Sequence, residues 1–333
     1  MIHYEESNGI ACVIWDMDGP QNILSLESYE AYSNAVNKAL SDKSVSGVII
    51  TSGKAEFHVG ADLNVLVGLS EAQQVMDFCT KIHEINRRIE TGGKPFVAAI
   101  NGSALGGGYE LCLACHHRIA SNETNLRVGF PEIKLGLLPG GGGTQRLPRM
   151  IGIRTAAQVL LEGKSFDPAT ALRNGLIDET VPKDNLLDAA RTWLNGDSAD
   201  PVKSWDKRDF SVPDGGVWSQ TGMQNFTAGN ALLHGKTRGN YPAHQAIMSC
   251  LYEGLQVPID IALRIESRWF AHVLLDNVAK NMIRTNFFHM KDANQLIRRP
   301  KGKPRTTFRT VGVLGAGMMG AEIAHACAVS GLD

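Results

Sequence analysis

Ten residues, 101–110, constrain this chain most: Asn-Gly-Ser-Ala-Leu-Gly-Gly-Gly-Tyr-Glu. They follow an apolar run at 95–100, Pro-Phe-Val-Ala-Ala-Ile, which reads as a buried strand. Residues 111–115, Leu-Cys-Leu-Ala-Cys, continue from Glu110 as a helix. A strand, a glycine turn and a helix start leave backbone N–H groups that no intrahelical carbonyl can satisfy, at the positive end of the helix dipole. Gly107 and Glu110 are three residues apart, so the N–H of one and the carboxylate of the other share a helix face. A second glutamate, Glu132, follows in Phe-Pro-Glu-Ile-Lys-Leu-Gly at 130–136.

The remainder of the chain is compatible with an enzyme built around that turn. A length of 333 residues leads us to expect two domains of about 150 residues each. A net charge of −1, with 20% charged residues, implies no general affinity for nucleic acid or an anionic membrane. No apolar run reaches the roughly 18 residues of a membrane span. The start, Met-Ile-His-Tyr-Glu-Glu-Ser, lacks the basic and apolar regions of a signal peptide, so a cytoplasmic location is expected. Six scattered cysteines without an export signal argue against a disulfide framework.

Residues 1–190 alternate short strands (10–16, 45–51, 95–100) with helices (26–40, 70–89, 154–161, 167–174, 184–194), the pattern of an α/β fold. Residues 197–226 carry Trp205, Trp218 and Phe226 without periodicity and read as an ordered irregular segment. From 227 to 297 the pattern is helical, with Pro242 and Pro258 near helix starts. Residues 298–308 hold two prolines, a glycine and only basic charges, and read as a solvated linker.

A second donor is needed to grip a carbonyl oxygen between two N–H groups. The turn Gly60-Ala61-Asp62 follows the apolar strand 45–51 and leaves N–H groups at its end, on the same edge of the sheet as the 101–110 turn. Either turn alone reads as an ordinary glycine turn; together with two nearby glutamates they read as a site where N–H groups hold a developing oxyanion while carboxylates transfer protons. Two close carboxylates cannot both ionise freely, so the pair can supply acid and base together.

This combination resembles the enoyl-CoA hydratase/isomerase, or crotonase, family over roughly residues 8–190. The resemblance rests on Gly60-Ala61-Asp62, the 101–110 cluster, Pro131-Glu132, and Leu-Pro-Gly-Gly-Gly-Gly-Thr-Gln-Arg-Leu-Pro at 138–148. It implies a spiral of β-β-α turns. It also implies that Ala61 and Gly107 bind a thioester oxygen, with Gly60, Asp62 and Gly106 beside the substrate, and that Glu110 and Glu132 hold a water and move protons. Keeping both glutamates points to hydration of a 2-enoyl-CoA, with double-bond isomerisation as a second activity. Glu110 and Glu132 stand 22 residues apart, slightly more than in simple hydratases, and the excess is expected in the polar loop 121–125. No cofactor beyond the CoA thioester substrate is required, and no metal is expected.

Two other motifs compete for attention. Cys112-Leu-Ala-Cys115-His116 matches a haem-attachment pattern, but it lies inside the helix after the catalytic turn, and burial explains both cysteines. Residues 315–320, Gly-Ala-Gly-Met-Met-Gly, follow an apolar run at 311–314 that reads as a strand, and open a helix at 321–329. They resemble the first β-α unit of a 3-hydroxyacyl-CoA dehydrogenase NAD-binding domain, with Gly315, Gly317 and Gly320 as its glycines. The acidic residue expected about 20 positions further on is absent, because the sequence ends at Asp333.

The order of parts resembles the alpha-subunit family of fatty-acid oxidation complexes and its multifunctional relatives. It implies a hydratase domain at 1–190, a connecting region at 191–297, a linker at 298–308 and an incomplete Rossmann stub at 309–333. It further implies NAD use only in an intact parent, a thiolase (beta) partner and no trimerisation. The alternatives are an isomerase-only member, a non-catalytic acyl-CoA-binding scaffold and, resting on the stub alone, an NAD-binding regulator. Acyl chain length is not legible; the segments 63–80 and 137–151 are the expected lining.

Overall fold

The computed structural model describes residues 1–300, 302–303 and 306–333; Lys301, Pro304 and Arg305 of the expected linker lie outside the described residues. Two compact units divide the chain, Met1–Phe288 and His289–Asp333.

The first unit is organised by a six-stranded sheet. Its strands are β1 (Ile2–Ser7), β2 (Ile10–Trp15), β3 (Gly47–Ser52), β4 (Phe96–Ile100), β6 (His117–Ser121) and β9 (Glu179–Val181), in the order β1-β2-β3-β4-β6-β9. Only β1 is antiparallel to its neighbour. A smaller sheet joins β5 (Ala104–Leu105), β7 (Val128–Gly129) and β8 (Ser165–Phe166). Strands β3 and β4 read as continuous apolar runs because both faces are covered. Val48, Ile50, Phe96, Ala98 and Ile100 enter the main core. Ile49, Val97 and Ala99 point the other way, against Leu186 and Ala190.

The helices of this unit are α1 (Leu26–Ser41), α2 (Leu63–Gly68), α3 (Ala72–Thr91), α4 (Gly107–Ala114), α5 (Gly143–Ile151), α6 (Ile153–Glu162), α7 (Pro168–Arg173), α8 (Leu186–Leu194), α9 (Gln220–Thr237), α10 (Pro242–Gly254), α11 (Ile259–Leu274) and α12 (Asn277–Ile283). The expected helix boundaries at 26–40, 70–89, 154–161, 167–174 and 184–194 fall within two residues of these. One segment differs. Residues 220–226, expected to be irregular, begin α9, because Ser219 caps its first turn by accepting the Gly222 N–H at 2.9 Å. Periodicity fails there because α9 carries glycines and exposed apolar side chains, Leu232 at 67% and Met223 at 50% exposure among them.

The second unit holds α13 (Met290–Asn294) and α14 (Met318–Val329). The apolar stretch 311–314 was expected to be a strand and is not one. A strand needs a neighbouring ladder, and here, among the described residues, the Val311 N–H finds only the Asp333 carbonyl at 2.7 Å while Leu314 is fully exposed. No residue of α14 is buried. Gly315 and Gly317 sit on an exposed turn and Gly320 on the helix that follows it, and no step of the chemistry below passes through them.

Candidate active site

Strand pairing brings the two glutamates together. β5 pairs in parallel with β7, Ala104 opposite Val128 and Leu105 opposite Gly129, and the Gly106 N–H donates to the Gly129 carbonyl at 2.9 Å. The segments that leave these two strands, Gly106 to Glu110 and Phe130 to Glu132, therefore emerge side by side. Glu110 lies in the first turn of α4 and is 4% exposed. Glu132 opens a single 3-10 turn, Glu132–Leu135, closed by Gly136 in the left-handed region.

Gly106 makes the junction possible. Its φ of +54° favours glycine, and a methyl group there would come within 2.7 Å of Glu132 Oε1. Glycine at this point lets the second carboxylate rest directly against the start of the helix that carries the first.

The oxyanion donors are narrower than the sequence implied. The Gly60 N–H donates to His58 Nδ1 at 3.0 Å, and the Asp62 N–H to the Leu24 carbonyl at 3.1 Å. Only Ala61 of that turn keeps an N–H without an acceptor among the described residues. The Asp62 side chain is also engaged, capping α2 through the Asn64 N–H at 2.8 Å. Gly107, the first residue of α4, has no carbonyl within its own helix to bond. The two donors are neighbours: a Cβ built on Gly107 would lie 3.6 Å from the Ala61 nitrogen and 3.8 Å from Glu110 Oε2. Parallel pairing of β3 and β4 explains this, since both turns leave the same edge of the sheet.

Glu110 is held in a fixed pose. Its Oε1 accepts the Gly141 N–H at 2.8 Å and the Gly143 N–H at 2.7 Å. With Oε1 occupied by two donors, the oxygen free to exchange a proton is Oε2. Burial, then the neighbouring carboxylates Glu266 and Glu132, push the Glu110 carboxyl well above the usual range, while the two N–H bonds work against that shift. Burial, reinforced by Glu266, raises Glu132 to about 8, and its Oε2 has no hydrogen-bond partner among the described residues.

Sequence reasoning missed three participants. Gly141 and Gly143 were legible only as part of a glycine run, with no indication that their N–H groups face Glu110. Glu266 lies on α11, in the region expected merely to connect domains, and is wholly buried. Its position on an apolar helix face was the available signal, since an unpaired carboxylate is rarely fully buried. Cys112 and Cys115, by contrast, are simply buried on and beside α4.

Residues 5–199 match the family model described as enoyl-CoA hydratase/isomerase. The fatty acid oxidation complex subunit alpha of Shewanella frigidimarina is 35% identical over 321 residues, covering 95% of this chain and 44% of that protein. The Shewanella loihica counterpart is likewise 35% identical, over 95% of the chain and 45% of its own length. The chain thus spans less than half the length of the curated relatives it matches. Among solved structures, human mitochondrial delta3-delta2-enoyl-CoA isomerase shares the fold with a TM-score of 0.63 at 23% identity, covering 88% of this chain and 98% of that one. Pseudomonas aeruginosa DspI aligns with a TM-score of 0.54 at 29% identity over 58% of this chain and 78% of its own. No helix among the described residues is long and apolar enough to cross a membrane. The chain belongs to the enoyl-CoA hydratase/isomerase family.

Proposed function

We propose that this chain adds water across the Cα=Cβ bond of a 2-enoyl-CoA to give the 3-hydroxyacyl-CoA. The observation that carries this reading is the convergence of two carboxylates, the buried Glu110 and the half-buried Glu132, on the paired free N–H groups of Ala61 and Gly107. The thioester oxygen accepts both N–H bonds. Glu110 Oε2 takes a proton from water as its oxygen bonds to Cβ. The π electrons move toward the thioester, giving an enolate whose negative oxygen is held by the two N–H groups. Glu132 then delivers a proton to Cα. The raised affinity of Glu132 for its proton suits an acid at neutral pH, and the double N–H grip on Glu110 suits a base. The proton that Glu110 gains and the one that Glu132 loses equalise by exchange between turnovers, so only water is consumed.

The same pair could move a double bond. Removing a proton from one carbon of a 3-enoyl-CoA and returning it to another uses the same enolate and donors, with an ionised carboxylate as the base and the raised Glu132 carboxyl able to hold and return a proton. For an intact parent protein the same reading proposes a place in fatty-acid β-oxidation, a cytoplasmic location, NAD use by a separate dehydrogenase part and a thiolase beta partner.

Incubating the purified chain with a 2-enoyl-CoA and with a 3-enoyl-CoA, and analysing the products by mass, tests both. A gain of one water from the 2-enoyl substrate supports hydration, and conjugation of the 3-enoyl substrate supports isomerisation. Binding with no conversion of either would establish a scaffold instead.

A further inference from the structure

Two carboxylates share one turn. The four consecutive N–H groups that enter α5 alternate between them: Gly141 and Gly143 donate to Glu110 Oε1, while Gly142 donates to Glu266 Oε1 at 2.6 Å and Thr144 to Glu266 Oε2 at 3.0 Å. The Thr144 hydroxyl adds a further short bond to Glu266 Oε2. On its far side Glu266 meets His83 Nε2 of α3 at 3.2 Å. Neither Glu266 oxygen is left for substrate. The Gly141 carbonyl is fixed as well, accepting from Asn86 at 3.1 Å and Arg146 at 3.0 Å.

From this interleaving we infer that Glu266, on a helix beyond the matched family region, is a positioning residue that fixes the orientation of Glu110 through the 141–144 turn. The inference rests on the hydratase reading of Glu110. A turn whose alternate N–H groups are pinned from one side can present the others in one geometry only, which fixes the carboxylate they grip. The field of Glu266 is also felt directly, for it raises the carboxyls of Glu110 and Glu132. The titratable groups that face Glu266 are these two, His83 and Cys79 of α3, Cys250 of α10 and Arg149 of α5. Only Glu110 and Glu132 also belong to the reacting pair.

The test is Glu266→Gln, compared with Glu110→Gln and with the double variant. Removing the charge at 266 while keeping the shape should lower kcat for a 2-enoyl-CoA about tenfold with KM unchanged, and should displace the whole pH–rate profile toward acid by about one pH unit. In the Glu110→Gln background the same change should cost much less than tenfold further, because the orienting effect passes through Glu110 and only the field on Glu132 remains. An additive loss, or a wild-type kcat and pH profile in a folded Glu266→Gln protein, overturns the inference. If Glu266→Gln does not fold, Thr144→Val decides. Loss of that hydroxyl should reduce kcat several-fold without moving KM, and wild-type kcat contradicts the proposal. Failure of the hydratase reading itself shows separately, as near-normal turnover by Glu110→Gln alone.

Discussion

Glu110 Oε1 accepts the Gly143 N–H at 2.7 Å across 33 residues of chain, so the base is fixed by the start of a different helix from the one that carries it. The opposite oxygen is the one that reaches toward the Ala61 and Gly107 donors. Truncating either carboxylate while keeping its shape should therefore spare binding and remove chemistry. Glu132→Gln should lose about 10²–10⁴ in kcat, with acyl-CoA affinity by calorimetry within a few-fold of wild type. Equal losses in kcat and in binding would show that Glu132 serves substrate affinity instead.

Glu132 also predicts a pH signature. Its folded value of about 8 lies above its ordinary 4.5, because burial, aided by Glu266, disfavours the charged form. As the acid in hydration it must hold its proton, so kcat should fall as pH rises through about 8. The linkage sign follows from proton uptake: between about 4.5 and 8 the folded protein holds a proton that the unfolded chain has released, so stability declines as pH rises. Glu132→Gln removes that liability. It should unfold at the same denaturant concentration as wild type near pH 4.5 and be more stable by roughly 2–4 kcal/mol at pH 9. Parallel stability curves for the two proteins across that range would refute the assigned shift.

Glycines in the site should divide sharply by what their missing side chain would strike. Gly106→Ala places a methyl group 2.7 Å from Glu132 Oε1 at a φ of +54°, and Gly141→Ala one 2.6 Å from Glu110 Oε2. Each should lower kcat by at least about tenfold, and the first should destabilise by about 1–2 kcal/mol. Gly68→Ala, at the end of α2 with nothing within 4 Å, should leave both stability and turnover unchanged. Thermal melts with steady-state kinetics on the three variants provide the comparison.

Arg146 is wholly buried and ties Glu90 to the catalytic turn, with Nε to Glu90 Oε1 at 2.6 Å and Nη1 to the Gly141 carbonyl at 3.0 Å. Burial pushes Glu90 up, but Arg146 and then Arg87 hold it below the usual carboxylate range. Arg146→Met should cost about 3–5 kcal/mol in urea unfolding, since it strands part of a buried charge. A loss under 1 kcal/mol would mean that Arg87 alone satisfies Glu90.

Much of this was legible because local chemistry and fold agree. The glycine run before Glu110 could only be a tight strand-to-helix turn, and the apolar runs of β3 and β4 could only be buried on both faces. The Gly60-Ala61-Asp62 turn was visible as a place with spare N–H groups, but not which one stays spare; His58 and Leu24 decide that, and neither contact has a sequence period. Glu266 stood out only as a carboxylate on an apolar helix face; that it faces the site was not legible, since it lies 156 residues beyond Glu110 in the chain. The 311–314 stretch shows the converse: strand-like composition without a neighbouring strand does not make one.

Hydration kinetics of the Glu110→Gln variant against wild type, with acyl-CoA binding measured on the same preparations, tests the central claim most directly. The geometry predicts binding within a few-fold of wild type and a kcat for 2-enoyl-CoA reduced by about 10²–10⁴. Near-normal turnover by Glu110→Gln would contradict it.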